Sequence, residues 1–179
     1  EDVAGNVVND SVTVTVIDDE VPTVTGAAGV VVELDTSGNG NLSVVAATGD
    51  SDDNCGVSLS LSKSTFSCSD LDDPTVTLTA VDPSGNSANA SVAVDVVDSI
   101  APVLVMSGPF GVTLNSSGTY ALSEGEAVTE RTDNCLVSSV DLSQWVFSCS
   151  DVGSVTVVAT VEDVAGNVVN DSVTVTVID

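Results

Sequence analysis

This sequence has no histidine, and it carries only two basic residues, Lys63 and Arg131, against 27 acidic ones. Aromatic residues make up 3%, with a single Trp and a single Tyr. Without His, and with so few cations, general acid–base and nucleophilic catalysis lack most of their usual parts. An enzyme is therefore not expected. A formal net charge of −25 excludes nucleic acid, because phosphate contacts need a cationic surface. Anionic membrane surfaces are excluded on the same ground. No apolar run approaches the ~18 residues that a membrane span needs. A signal peptide is not visible either, which says little for a stretch that starts in the middle of a repeat.

What the chain does contain is Val, Ala, Leu and Ile, set among Ser, Thr and Asp; hydrophobic residues reach 42%. Such β-branched richness with scattered Gly indicates an all-β protein. The stretch Glu1 to Asp18 (EDVAGNVVNDSVTVTVID) returns unchanged as Glu162 to Asp179. Within it Asp2 to Asn6 reads as a tight turn. Ser11 to Ile17 then alternates, with Val12, Val14 and Val16 expected inward and Ser11, Thr13 and Thr15 outward, which is the period of a half-buried strand.

Repetition extends through the chain. Pro102 follows Pro22 by 80 residues and Cys135 follows Cys55 by 80, while Cys149 follows Cys68 by 81 and Gly166 follows Gly85 by 81. These offsets together give 161, the distance between Glu1 and Glu162. The expected organisation is a closing turn and strand of a preceding unit (1–18) and two homologous domains (19–98 and 99–179), cut from a tandem array.

In the first domain, the acidic hinge Asp18-Asp19-Glu20 leads into Val21-Pro22. Strands are expected at Gly29–Leu34, Leu42–Ala47, Val57–Leu61, Thr65–Cys68, Thr75–Val81 and Ala90–Val97, with a turn at Asp82–Asn86. Roughly seven short strands per unit, punctuated by turns, suggest tandem immunoglobulin-like β-sandwich domains in a linear array.

Two cysteines per unit, in an acidic Ser/Thr-rich chain, indicate disulfides and an oxidising compartment. The expected bridges lie within each unit, Cys55 with Cys68 and Cys135 with Cys149, each closing a loop of about 14 residues. Free buried thiols or a metal pair are the alternatives, and the lack of His argues against tetrahedral zinc.

Three motifs recur in fixed order: DNC (Asp53–Cys55, Asp133–Cys135), FSCSD (Phe66–Asp70, Phe147–Asp151) and D-x-x-G-N (Asp82–Asn86, Asp163–Asn167). Together they resemble hyalin-repeat (HYR-like) and related bacterial Ig-like modules of large secreted and cell-surface proteins. The resemblance covers both units. It implies an Ig-like fold and an extracellular, adhesive or structural role, and it implies no active site.

Two further kinds of site are candidates. N-x-S/T acceptors for N-linked glycans occur at Asn9, Asn41, Asn89, Asn115 and Asn170. No cofactor is required, but Ca²⁺ takes six to eight oxygen ligands. The hinge acids Asp18, Asp19, Glu20 and Asp98, the turn acids Asp82 and Asp163, and the DNC-loop acids Asp53 and Asp133 could supply them together. The bland alternative is that the acids serve only solubility and self-repulsion.

The function expected is an extracellular, non-enzymatic filament or stalk whose partners are other copies or repeats of itself. A repeat adhesin for a carbohydrate or cell-surface protein partner, Ca²⁺-dependent or not, is the second reading. The lack of an aromatic or Arg hot spot argues mildly against it, since Tyr120 and Trp145 occur once each and read first as packing residues.

Overall fold

The computed structural model of the chain describes residues 2–179; Glu1, the first residue of the duplicated stretch, lies outside the described residues. The chain first forms a turn in which the Asp2 and Gly5 amides donate to Asn6 O and Asp2 O, both at 2.9 Å. Gly5 supplies the positive φ of 85° that the turn needs. No strand follows until β1 (Thr23–Gly26). The expected strand at Ser11–Ile17 is not formed there, and Val12, Val14 and Val16 stand exposed.

After β1 come β2 (Val30–Glu33), β3 (Asn39–Asn41), the one-turn helix α1 (Val44–Ala47) and β4 (Thr48–Asp52). Next are β5 (Ser58–Leu61), β6 (Thr65–Ser67), a 3-10 turn at Cys68–Asp70, β7 (Thr75–Val81) and β8 (Ser87–Val97). The series repeats as β9 (Val103–Met106), β10 (Phe110–Thr113), β11 (Thr119–Ala121), α2 (Glu124–Ala127) and β12 (Val128–Thr132). It closes with β13 (Val137–Leu142), β14 (Val146–Ser148), a 3-10 turn at Cys149–Asp151, β15 (Gly153–Asp163) and β16 (Val168–Ile178).

Each half has the same sheets. A four-stranded sheet runs β2-β8-β7-β5 in the first and β10-β16-β15-β13 in the second. The facing layer consists of two-stranded pieces, β1-β4 with β3-β6 and then β9-β12 with β11-β14. This is an all-β protein of Ig-like sandwiches.

Alternation explains the layers. Thr75, Thr77 and Thr79 face outward or to the flank while Val76, Leu78 and Ala80 are buried, and across the ladder Val92, Val94 and Val96 are buried too. Phe66 fills the first core and Phe147 the second. Leu42–Ala47, expected as a strand, instead yields α1. Ser43 caps it, its Oγ accepting the Ala46 amide at 3.2 Å. That local hydrogen bond offers the backbone an alternative to a ladder.

The duplicated stretch separates propensity from context. Val168–Ile178 pairs with β15 along ten residues and in parallel with β10, and it buries Val173, Val175 and Val177. Among the described residues, the identical residues 7–17 pair with no strand, and their Val and Ile side chains are exposed. The turn forms in both copies; the strand forms in one. Strand propensity is fit to a sheet rather than a property of the backbone alone.

Limited proteolysis by an enzyme that cleaves after small aliphatic residues is expected to trim the chain up to Asp18 while sparing Val168–Ile178, read as the intact mass of the product. Phe147→Ala, at a fully buried site, is expected to cost about 3–5 kcal/mol, measured by denaturant unfolding.

Candidate functional site at the module junction

Strand direction decides where the cysteines lie. β7 is antiparallel to β8 and β5 is antiparallel to β7, so β5 runs with β8. β2 is parallel to β8, β3 returns after the Asp35–Asn39 loop, and β6 is antiparallel to β3. β6 therefore also runs with β8. The link Ser62–Ser64 carries the chain from one sheet to the other without reversing it.

Cys55, before β5, thus sits at the end of the module where Asp18 enters, and Cys68, after β6, sits at the end where Asp98 leaves. An 11-residue strand such as β8 separates such ends by about 35 Å. The expected bridges Cys55–Cys68 and Cys135–Cys149 are corrected accordingly. The disulfide joins Cys68 of the first half to Cys135 of the second, with their Cα atoms 5.3 Å apart, and Cys55 and Cys149 are free and exposed.

Around that bridge the two halves interlock. Asn167 Nδ2, at the D-x-x-G-N turn, donates to Asp98 O at 3.0 Å and Ile100 O at 3.3 Å on the connecting hinge, and to Asp163 Oδ2 at 2.8 Å. Asn134 Nδ2 donates to Asp35 O at 3.2 Å, in the end loop of the first half, and to Asp98 Oδ1 at 3.1 Å. The hinge at the start of the chain repeats part of this, with Asn86 Nδ2 donating to Asp18 O at 3.2 Å and to Asp82 Oδ2 at 2.7 Å.

The acids converge at both hinges. Carboxylate oxygens of Asp18, Asp53 and Asp82 lie within 4.8 Å of one another. At the second hinge Asp98, Asp133 and the Cys135 sulfur are grouped within the same distance. That sulfur is in the disulfide, so the oxygens alone are available as hard ligands.

Asp98 is only 4% exposed, yet its Oδ2 has no hydrogen-bond partner; buried Asp133 Oδ1 and Asn134 Oδ1 beside it have none either. Asp18 Oδ2 and Asp53 Oδ1 repeat this at the first hinge. The other oxygens are engaged: Asp133 Oδ2 accepts the Cys135 amide and Asp53 Oδ2 the Cys55 amide, each at 2.8 Å. Two carboxylates at this separation repel by about 3 kcal/mol at an effective dielectric of about 20. Neither cation relieves it, since Lys63 pairs with Asp70 and Arg131 with Glu124.

Not all the predicted ligands join. Asp19 and Glu20 are exposed and outside the clusters. Asp163 is buried, but its oxygens accept from Ala165, Asn167 N and Asn167 Nδ2, so it holds the turn. Asp82 combines both roles. Burial raises its pKa, but hydrogen bonds from Asn86, Gly85 and Ser84 outweigh that and hold the carboxyl below its ordinary 3.8.

Sequence reasoning overlooked Asn86, Asn134 and Asn167 as the residues that tie loops to hinges. Their recurrence at the offsets of the cysteines was the signal. The candidate glycan acceptors Asn9, Asn41, Asn89, Asn115 and Asn170 are all exposed. Asn89 and Asn170 occupy matching strand positions, where their Oδ1 atoms accept from Thr79 and Thr160.

The fold and this junction define a tandem β-sandwich protein of the Ig-like class. No family model matches the chain. No curated protein matches its sequence. Among solved structures it is similar to protocadherin gammaB7 EC3-6, in a cis-dimer structure, at 18% identity and a TM-score of 0.37, covering 90% of this chain and 51% of that one. Human mucin-like protocadherin EC1-2 is similar at 10% identity and a TM-score of 0.40, covering 88% and 98%. The fibronectin(III)-like modules of Clostridium thermocellum CbhA are similar at 13% and 0.34, covering 88% and 94%. The chain spans about half the length of the first of these (51%).

A depressed carboxyl pKa contributes stability that is fully present above the unfolded value and is lost as pH falls through the folded one. Asn86→Ala is therefore expected to destabilise the protein at neutral pH, with the gap from the unaltered chain narrowing as pH drops below 3.8, followed by thermal unfolding across that range.

Proposed function

We propose that the chain is a non-enzymatic, extracellular segment of a filament or stalk, built of tandem modules whose junctions are locked by disulfides and by Ca²⁺. The modules are 19–98 and 99–179, and residues 1–18, which repeat Glu162–Asp179, are the closing segment of a preceding unit, whose turn forms here and whose strand would form only against the sheet of that unit. The observation that carries this reading is the second junction, where a disulfide, two Asn bridges and buried acids are gathered between two matching sandwiches.

Several facts support the rest. A disulfide at such a joint persists in oxidising surroundings outside the cytosol. Five exposed glycan acceptors suit a secreted surface. No described helix is long and apolar enough to cross a membrane. The sequence has no His, and Lys63 and Arg131 are both ion-paired, so the usual parts of general acid–base catalysis are few. The DNC, FSCSD and D-x-x-G-N motifs support kinship with HYR-like modules.

Ca²⁺ fits the donors. Asp98 and Asp133, with Asn134 Oδ1, would hold it at the second hinge, and Asp18, Asp53 and Asp82 at the first. All these atoms are oxygens, and a divalent cation cancels the repulsion that crowds them. The ion would stiffen the hinge, since its ligands belong to the connecting segment and to the loop that follows it.

A repeat adhesin is the second reading. Trp145 is 39% exposed, with its Nε1 donating to Asp141 Oδ1 at 3.2 Å, and is the aromatic side chain that a carbohydrate or protein partner would contact.

Calorimetric titration with Ca²⁺, alongside melting in Ca²⁺ and in EGTA, tests the main reading. Ca²⁺ at about 100 times its Kd is expected to add about 2.7 kcal/mol of stability. Asp98→Asn combined with Asp133→Asn is expected to remove the contribution of the second hinge. A melting temperature that is the same in Ca²⁺ and EGTA would dispose of the calcium.

A further inference from the structure

We infer that Cys149 and Cys55 are the two halves of one further joint: Cys149 of one copy of this chain forms a disulfide with Cys55 of the next, joining copies head to tail. The joint would reproduce the internal one between Cys68 and Cys135. This goes beyond the tandem reading, on which it rests, by assigning the two free thiols a partner and a direction.

The donor end is already built. At the internal joint Cys68 Sγ lies 3.7 Å from Gly38 O and 3.6 Å from Asn134 O. Cys149 Sγ lies 3.7 Å from Gly118 O, 80 residues after Gly38, in the same kind of seat. Gly38 and Gly118 have φ of 71° and 70°, and a Cβ on either would stand 2.7 Å from the neighbouring sulfur. Both positions are thus shaped to let a cysteine lie against the loop backbone. The Asp35 and Asn115 side chains hold their loops alike, each Oδ1 accepting an amide two residues on at 2.8 Å.

The acceptor end matches as well. Cys55 follows the same Asx turn as Cys135, each amide donating to the Asp two residues before it at 2.8 Å. At the internal joint Asn134 reaches the Asp35 carbonyl; Asn54 stands in the corresponding position to reach the Asn115 carbonyl of the preceding copy. Neither free cysteine can satisfy the other within one chain, because they occupy opposite ends of the two modules.

The leading segment has to yield for this approach, because its end is held at the same place, Asp18 O accepting from Asn86 Nδ2 at 3.2 Å. Residues 7–17 have no strand partner, and they are identical to β16 of the donor copy. They either leave the joint or take the place of β16, and the residues at the joint are the same in both cases.

The chemistry is an oxidation of two thiols to one disulfide by thiol–disulfide exchange. Oxidised glutathione serves as the oxidant: its S–S bond breaks, it takes up two electrons and the two thiol protons, and two molecules of glutathione leave.

The test uses the 179-residue chain in a glutathione redox buffer with Ca²⁺, read by non-reducing electrophoresis and by mass mapping of cross-linked peptides. The unaltered chain is expected to give a ladder containing the Cys149–Cys55 peptide pair, with Cys68–Cys135 retained. Cys55→Ser and Cys149→Ser are then mixed in equal amounts. The expected product is their heterodimer, in excess of about tenfold over either homodimer. Monomer alone, or hetero- and homodimers in the proportions of random pairing, would overturn the joint. Should the joint fail while Ca²⁺ still stabilises the protein, the tandem reading stands and only this linkage falls.

Discussion

A single amide group ties the architecture together. Asn167 Nδ2 spans the D-x-x-G-N turn and the backbone of the hinge at Asp98 and Ile100, so the turn that ends β15 also fixes how the second sandwich meets the first. Asp163 orients that amide by accepting from both its backbone and its side chain. With the turn seated on the hinge, the DNC loop is brought against the end of the first module, where Asn134 and Cys135 engage Asp35 and Cys68. Each contact is worth on the order of 1 kcal/mol, but they act on the same few backbone atoms and constrain one another.

The electrostatics follow from that seating. Asp98 and Asp133 are placed by hydrogen bonds to one oxygen each, which leaves the other oxygens buried and close together. A group in that state costs free energy unless something of opposite charge arrives. The chain has almost no cations to offer, and the two it has are paired elsewhere. Acidity as a whole keeps such a protein soluble and repels copies that approach at random. The joints are where that repulsion has to be answered locally, and this is the physical content of the calcium proposal.

The sequence made the layers readable and the wiring much less so. The alternation in Thr75–Val81 carries its core face openly, with Val76, Leu78 and Ala80 buried, because a period of two has one physical reading when one side is buried. The 80- and 81-residue offsets marked matching positions in both halves. Neither could tell whether the link at Ser62–Ser64 reverses the chain. That one connector decides which end of the module Cys68 occupies, so the disulfides were expected within units and are found between them. Ser11–Ile17 failed for a related reason. Its pattern is as good as that of Val168–Ile178, with which it is identical, but a pattern cannot supply the neighbouring strand. Leu42–Ala47 shows the smaller error, in which one capping serine outweighs a short apolar run.

The Cys68–Cys135 bridge also decides which parts of the chain carry load. Tension applied to the two ends of the chain reaches Cys68 and crosses to Cys135 through the sulfurs. The 67-residue span between them, which includes β7, β8 and the hinge, is bypassed. At about 3.4 Å per residue this withholds about 230 Å of contour from stretching. Even with its sandwiches torn open, the protein would lengthen only by what lies outside that span, until a reductant cut the bond. The joint is therefore a stop on extension as well as a fastening between modules.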